Sequence, residues 1–234
     1  MNLTITSDVF DLFPELLVGV VVLHDVVNAS DLDFQPRLEQ AQAELRNQLG
    51  AGAVTEHPRV ACWREAYRKF GAKPKKYPSS IENLARRTLK GESLRSIHPL
   101  VDIYNITSLE HFIPMGGEDL AAVRGDIRLA RAGENEPAVR LLGESEARPP
   151  KPGEVFYTDD DGAICRRWNW KEAERTKLTP ETKQAVLVAE ALPPIGRDAL
   201  ESAVDALVDA TTDVVGGTVF RTVLDVTRPS WPLP

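Results

Sequence analysis

Apolar residues along this chain occur in two patterns, continuous runs and runs with helical spacing. The continuous runs at Leu16–Leu23 and Ala185–Leu192 predict two buried strands. Apolar positions three and four residues apart predict helices at Pro58–Phe70 and Ile195–Val214. Caps and spacing together predict further helices at Pro36–Leu49, from the capping box at Ser79 to Gly91, at His98–Phe112 and, as a short segment, at Glu118–Val123.

Short strand-like segments separated by turn residues follow in the second half. The turn Asp159–Gly162 predicts a hairpin between Val155–Thr158 and a returning strand at Ala163–Trp170, on which Trp168 and Trp170 share a face. Runs of helices beside runs of strands indicate an α+β fold, with a mixed or antiparallel sheet core flanked by helices, in a single domain over residues 1–234. Further strands are predicted at Asp126–Arg131, Val139–Leu142 and Thr218–Val226.

Composition narrows the class of protein further. The chain has 234 residues, of which 42% are apolar, and its longest apolar run is far too short to cross a membrane. The first residues are acidic where a secretory signal would be basic. Cys62 and Cys165 lie far apart, which favours reduced thiols and a cytoplasmic protein. No Cys/His cluster is present, so neither a metal nor a cofactor is expected, and the oligomeric state stays open.

The net charge of −7 argues against nonspecific nucleic-acid binding, but the basic residues are unevenly distributed. The segment 64–95 holds ten basic and only three acidic residues. An acidic protein with one basic face can still dock a phosphate backbone. A solvated helical surface is an equally good interpretation of the same cluster.

Four phrases of the sequence resemble one known family. They are VDIYN at Val101–Asn105, PMGGEDL at Pro114–Leu120, RGDIRLARAGE at Arg124–Glu134, and ERTKLTPETKQAVLVAE at Glu174–Glu190. In this order and spacing they are similar to the B3/B4 editing module of the phenylalanyl-tRNA synthetase beta subunit, over roughly residues 62–192. That module hydrolyses wrongly charged aminoacyl-tRNA, so the resemblance implies a B3/B4-like layered fold and a deacylase.

The resemblance implies two catalytic candidates. Asn105 falls in the pocket-facing phrase, where an amide holds the substrate carbonyl or a water; the alternative is an asparagine that caps a helix. Glu174 matches the family's pocket glutamate, which binds the ammonium group of the amino acid or acts as a general base. The alternative for Glu174 is a surface residue in a charged run.

Further pocket residues follow from the same resemblance. Arg175 and Thr176 are candidate donors to a developing oxyanion, and Thr182 is expected to line the pocket. The chain departs from the family at Gly116, where the module carries a histidine. Either the substrate assists water activation, or the pocket is wider, or the protein does not hydrolyse anything. The complete set of pocket candidates is Tyr104, Met115, Gly116, Arg175, Thr176 and Thr182.

Two basic and aromatic segments are candidate contacts for the tRNA acceptor end. A lysine on a proline loop can grip phosphate while a neighbouring tyrosine stacks on a base. A solvated turn with its aromatic ring packed on the core explains the same pattern. The tRNA-binding candidates are Lys73, Lys75, Lys76, Tyr77, Arg86, Arg87, Arg166 and Arg167.

The preferred functional hypothesis is an aminoacyl-tRNA deacylase that acts in trans, with the tRNA acceptor end and the attached amino acid as its ligands. The alternative is a non-catalytic module that binds tRNA or an amino acid, and a small-molecule hydrolase on the same fold is a third possibility. At this length the modules for aminoacylation and anticodon binding are absent, so a complete ligase is not expected.

Overall fold

Two main β-sheets, a small two-stranded sheet and the helices around them form the fold. The computed structural model describes residues 1–29, 31–50 and 52–234, and these residues form six α-helices, one 3₁₀ turn and twelve strands. The helices are α1 Ser7–Leu12, α2 Gln35–Leu49, α3 Pro58–Lys69, α4 Ser80–Leu89, α5 Pro99–His111 and α6 Arg197–Val215. The strands are β1 Asn2–Ile5, β2 Leu17–His24, β3 Met115–Asp119, β4 Ile127–Arg131, β5 Val139–Arg140, β6 Ala147–Arg148, β7 Val155–Asp159, β8 Gly162–Arg166, β9 Lys171–Glu172, β10 Gln184–Ala191, β11 Thr218–Leu224 and β12 Ser230–Pro232.

The larger sheet has six strands in the order β12-β1-β4-β7-β8-β9, and the second has four in the order β11-β2-β10-β3. Strands β5 and β6 form a separate two-stranded sheet. Strands β1 and β4 are parallel, and the other pairs among the described residues are antiparallel. The α+β class and the mixed sheet core predicted from the sequence are therefore confirmed.

The four-stranded sheet is buried on both faces at its centre, whereas its edge strand β11 is largely exposed. Its central strands β2 and β10 are the two continuous apolar runs of the sequence, because a strand covered on both sides needs apolar residues at every position. Helix α6 packs on one face so closely that a Cβ on Gly19 would lie 2.3 Å from Cγ2 of Val204. The opposite face is turned towards the six-stranded sheet.

The predicted helices are present with ends shifted by one or two residues, apart from the short segment at Glu118–Val123. Helix α4 begins after Ser79, whose Oγ accepts a hydrogen bond from the N–H of Glu82 at 3.4 Å, as the capping box predicts. Helix α5 ends at His111 and is capped by Phe112, which takes a left-handed conformation with φ of 53°. Within the described residues, no helix is both long enough and apolar enough to span a membrane.

The short helix predicted at Glu118–Val123 is wrong. The chain instead forms β3, which pairs with β10 so that Gly116 lies opposite Val188 and Glu118 opposite Val186. The prediction failed because Gly116 and Gly117 are poor strand formers, whereas the free edge of β10 supplies hydrogen bonds that local propensity does not include.

The returning strand predicted at Ala163–Trp170 is also too long. Strand β8 ends at Arg166, and Arg167 and Trp168 then adopt left-handed conformations, with φ of 50° and 65°. Trp168 consequently turns into the core while Trp170 stays half-buried, so the two rings do not share a strand face. The sequence also did not predict β1, α1, β6, β9 or β12, which are short and have weak local patterns.

Candidate functional site

A cavity of about 330 Å³ lies between the two sheets. Strands β3 and β10 line one side, and β1, β4, β7, β8 and β9 line the other, with α4 and α5 completing the wall. Side chains alternate across a strand, so the β3–β10 register places Gly116, Glu118, Val186, Val188 and Glu190 on the cavity face. The walls are largely apolar, and three glutamates are set among them.

Glu190 is held at the cavity wall by a network of buried hydrogen bonds. Its Oε1 accepts from the Tyr157 hydroxyl at 2.7 Å and from Trp168 Nε1 at 2.6 Å. Its Oε2 accepts from Asn169 Nδ2 at 2.7 Å, and Asn169 Oδ1 in turn accepts from the Tyr67 hydroxyl at 2.9 Å. Three donors satisfy this carboxyl group, which makes it a fixed part of the structure.

Burial raises the pKa of Glu190 to about 7 from its usual 4.5, although its three donors lower it. A raised pKa means that Glu190 contributes stability below about pH 4.5 and that this contribution is lost as the pH rises through 7. We expect the free energy of unfolding of the wild type to fall by about 2–3 kcal/mol relative to Glu190→Gln between about pH 5 and 8.5. Urea denaturation of both proteins across this range measures the difference.

The comparison with Glu190→Gln is needed because other groups give the opposite slope. Burial lowers the pKa values of His57, His98 and His111, so these residues add stability as the pH rises to about 6.5. That contribution is the same in both proteins and cancels in the difference. If the difference in free energy of unfolding between the wild type and Glu190→Gln does not change with pH, Glu190 keeps an ordinary pKa.

Glu172 and Glu118 are the other two glutamates of the cavity. Burial raises the pKa of Glu172 to about 7, with the N–H of Gly117 lowering it. The pKa of Glu118 is raised well above its usual value, first by burial and then by repulsion from Glu172, while the nearby Thr176 hydroxyl lowers it. Neither carboxyl group forms an ion pair with any described residue, and Oε2 of Glu118 is buried without a hydrogen-bond partner there.

Helix α5 contributes Tyr104 and Asn105 to the cavity. The side-chain amide of Asn105 is half-buried and makes no hydrogen bond to another described residue, which leaves its N–H₂ and carbonyl open to a ligand. Gly116 lies beside Glu172, since a Cβ on this glycine would be 3.3 Å from Oε1 of Glu172. Among the described residues, no histidine lines the cavity.

The rim of the cavity mixes basic and apolar side chains. Arg87 of α4 and Lys171 of β9 reach it, and each is paired with a carboxylate, Glu92 at 3.4 Å and Glu144 at 3.0 Å. Ile97 is 65% exposed at the same rim. The entrance therefore offers two cations of moderate exposure beside an apolar contact.

Four pocket candidates from the sequence lie outside this cavity. Glu174 lies in a separate surface depression and forms an ion pair with Lys177. Arg175 binds Asp159, with its Nη1 donating to Oδ2 at 2.9 Å. Thr176 is buried outside the cavity lining, and Thr182 donates to Asp119 at 2.7 Å.

The expected convergence of Asn105, Glu174 and Thr182 on one pocket is therefore wrong. Tyr104, Asn105, Met115 and Gly116 do line one cavity together. The short loop after β9 carries Glu174 to Thr176 away from the cavity, because β9 contributes only Lys171 and Glu172 to the sheet.

The candidate tRNA contacts divide into exposed and paired residues. Lys73, Lys75 and Lys76 are exposed on the loop between α3 and α4. Tyr77 is half-buried, with its ring centroid 4.8 Å from that of Trp170. This contact places the lysine loop next to the rim of the cavity, since Trp170 lines it.

The arginine candidates are less available than the sequence predicted. Arg166 is buried and donates from Nε and Nη2 to both carboxylate oxygens of Glu154. Arg167 is also buried, with its guanidinium carbon 3.7 Å from the Tyr77 ring centroid and 4.6 Å from that of Trp170. Arg86 forms an ion pair with Glu82, and Arg87 forms one with Glu92. The surface reading of Arg166 and Arg167 is thus wrong, because Glu154 and the two rings cover them.

Sequence reasoning missed all three glutamates of the cavity. Glu172 lies two residues before the predicted Glu174. Because side chains two residues apart point to the same face of a strand, the sequence pattern alone does not distinguish the two glutamates. Glu118 was assigned to a helix that does not form. One feature of the sequence could have identified Glu190. It is a lone acidic residue near the end of a continuous apolar strand, where a buried charge requires hydrogen-bond partners.

Residues 62–210 match the family model described as B3/4 domain, and since the match covers more than half of the chain, the chain belongs to this family. The resemblance drawn from the four phrases is confirmed. A stretch of 71 residues, 30% of the chain, is 39% identical to the phenylalanine–tRNA ligase beta subunit of Shewanella oneidensis and covers 9% of it. An N-terminal fragment of the phenylalanyl-tRNA synthetase beta subunit from Pyrococcus horikoshii is similar with a TM-score of 0.48 and 12% identity, over 94% of this chain and 53% of that one.

Proposed function

We propose that this protein hydrolyses the ester bond of a mischarged aminoacyl-tRNA, with the amino acid held in the cavity and the acceptor end lying across its rim. One observation carries the proposal, namely that carboxyl groups without basic partners line the same cavity as the open amide of Asn105. An aminoacyl ester presents the complementary groups, an ammonium group and a carbonyl oxygen. Membership of the B3/4 domain family supports the same reaction class.

Each group in the cavity has a defined part in this reaction. Glu172 receives the ammonium group, because a carboxylate in an apolar wall binds a cation more strongly than one in water. Asn105 donates its amide N–H to the carbonyl oxygen, which becomes an oxyanion during attack by water. Both contacts fix the ester relative to the entrance, where the ribose must lie.

The attacking water has no histidine to activate it. The position at which the family module carries a histidine is Gly116, directly beside Glu172. The vicinal hydroxyl of the terminal ribose is then the group that orients the water. A substrate whose terminal adenosine lacks this hydroxyl should be hydrolysed much more slowly.

A deacylation screen tests the proposal. The full chain is incubated with tRNAs carrying correct and incorrect amino acids, and release of the amino acid is compared with spontaneous hydrolysis. We expect acceleration for one or a few mischarged species, and slow hydrolysis of their deoxyadenosine-terminated forms. Acceleration of no aminoacyl-tRNA at all would overturn the proposal.

The lysine loop is proposed as the surface that meets the tRNA backbone. Replacing Lys73, Lys75 and Lys76 by alanine should weaken tRNA binding and lower the slope of log K against log salt by about two, since each phosphate contact contributes about 0.7–0.9. Filter binding over a range of salt concentrations measures the slope. The exposed Lys183 serves as a control, because it precedes β10 away from the cavity lining. An unchanged slope in the triple variant would leave the loop as a solvated surface.

A binding module without catalysis is the second candidate, and Gly116 is the observation that favours it. Such a module would bind tRNA ends or amino acids through the same cavity. Tight binding without any release of the amino acid in the screen would support this candidate over the deacylase.

A further inference from the structure

Among the described residues, Glu118 is the cavity carboxyl group for which neither the fold nor the proposed reaction supplies a cation, although the Thr176 hydroxyl lies near enough to lower its pKa. Its side chain points to the cavity from β3, and the residue is 8% exposed. Its Oε2 has no hydrogen-bond partner among the described residues. Leaving a buried polar atom unpaired destabilises the protein, more so for a charged group, so a ligand that brings a donor to this oxygen is favoured.

The other two carboxyl groups are already accounted for. Glu190 accepts three hydrogen bonds from protein side chains. Glu172 receives the single ammonium group that every amino acid ester carries. One ammonium group therefore leaves Glu118 without a counter-charge.

The nearby basic residues do not fill this role. Arg87 and Lys171 at the rim are paired with Glu92 and Glu144. The charge of Arg175 lowers the pKa of Glu118, but Arg175 itself forms an ion pair with the buried carboxylate of Asp159. No cation in the described part of the chain forms an ion pair with Glu118.

We propose that the amino acid bound in this cavity carries a second cationic group on its side chain, and that Glu118 receives that group. That the ligand is an amino acid ester rests on the proposed function, whereas the binding of a second cationic group rests on the cavity alone. The ligand class is a basic amino acid such as lysine, ornithine or 2,4-diaminobutyrate. The aliphatic stem of such a side chain packs on the apolar wall formed by Ile127, Val186 and Val188.

Without a cation beside it, the protonated form of Glu118 is favoured, because burial and repulsion from Glu172 both raise its pKa. An arriving ammonium group displaces this proton to solvent and forms a charge-assisted hydrogen bond with the carboxylate. A neutral side chain of the same length leaves the carboxyl group unpaired. The cavity should therefore discriminate by charge at constant size.

Binding of amino acid amides tests this directly and needs no hydrolysis. Isothermal titration of the full chain compares lysinamide, ornithinamide and 2,4-diaminobutyramide with norleucinamide, which matches ornithinamide in length but has a methyl group in place of the second ammonium group. We expect the tightest of the three basic amides to bind at least about tenfold more tightly than norleucinamide, the change expected for one charge-assisted hydrogen bond. Equal or tighter binding of norleucinamide would overturn the inference.

Glu118→Gln identifies the residue responsible. The substitution keeps the shape of the side chain, so it should abolish the preference for the basic amide and leave norleucinamide binding unchanged. Equal weakening of both amides would show that Glu118 contacts only the common ammonium group, and would also overturn the inference. Thermal denaturation confirms that the variant is folded, and Glu201→Gln on α6 is the matched surface control.

The outcomes for the two proposals can be separated. Basic amides that bind with the expected preference, in a protein that hydrolyses no aminoacyl-tRNA, would retain the cation site and reject the deacylase. Hydrolysis of tRNA charged with a neutral amino acid, with no preference for basic amides, would do the reverse.

Discussion

Glu172→Gln is expected to lower kcat/KM for deacylation by about 10²–10³-fold, chiefly through KM. Glutamine has the same size, but it cannot pair with an ammonium group inside an apolar wall, and losing such a buried charge partner costs about 2–5 kcal/mol. Single-turnover kinetics with the best mischarged substrate separates binding from chemistry. A loss confined to kcat would instead identify Glu172 as a general base, for which a similar loss is expected.

Glu174→Gln is the matched comparison, because the sequence resemblance selects Glu174 and the structure places Glu172 in the cavity. Glu174 forms only an ion pair with Lys177 at the surface. Its replacement should keep kcat/KM within about threefold, as is usual for exposed ion pairs. A large loss in Glu174→Gln with normal activity in Glu172→Gln would reject the assignment to Glu172.

Trp168→Ala is expected to lower the free energy of unfolding by about 3–5 kcal/mol. The indole is fully buried, and its ring centroid lies 4.9 Å from that of Phe13 and 5.1 Å from that of Trp63. Truncation leaves a cavity in the core and also removes the Nε1 donor to Glu190. Urea denaturation monitored by circular dichroism measures the loss.

Trp168→Phe separates packing from hydrogen bonding. Phenylalanine keeps most of the aromatic packing but lacks the N–H, so a loss of about 1–3 kcal/mol is expected from the removal of one of the two hydrogen bonds to Oε1 of Glu190. Trp170→Ala is the matched control, because Trp170 is half-buried at the cavity rim and should cost less than half as much. Equal losses for Trp168→Ala and Trp170→Ala would contradict the assigned core position of Trp168.

The sequence predicted those parts of the fold that depend on residues close to one another along the chain. Strands β2 and β10 are continuous apolar runs, and α3 and α6 carry apolar stripes with caps, so local pattern and final burial agree. Strand β3 was missed because it depends on pairing with β10, about 70 positions further along the chain.

The candidate site was predicted only in part for the same reason. Tyr104 and Asn105 belong to a helix whose position follows from its own pattern, and they line the cavity. Glu118 is buried only because β3 forms, so its local sequence resembles an exposed turn. Arg166 looked like a surface cation because its partner Glu154, 12 positions away, is drawn close by the β7–β8 hairpin.

The left-handed pair Arg167–Trp168 has a consequence for how the sequence can vary. Side chains other than glycine lose about 1–2 kcal/mol in this backbone conformation, so glycine at either position would ease the turn. Glycine at 168 would remove the core indole, and glycine at 167 would remove the guanidinium that lies between two rings. Relatives that keep this turn should therefore retain large side chains at positions where backbone preference alone would select the smallest residue.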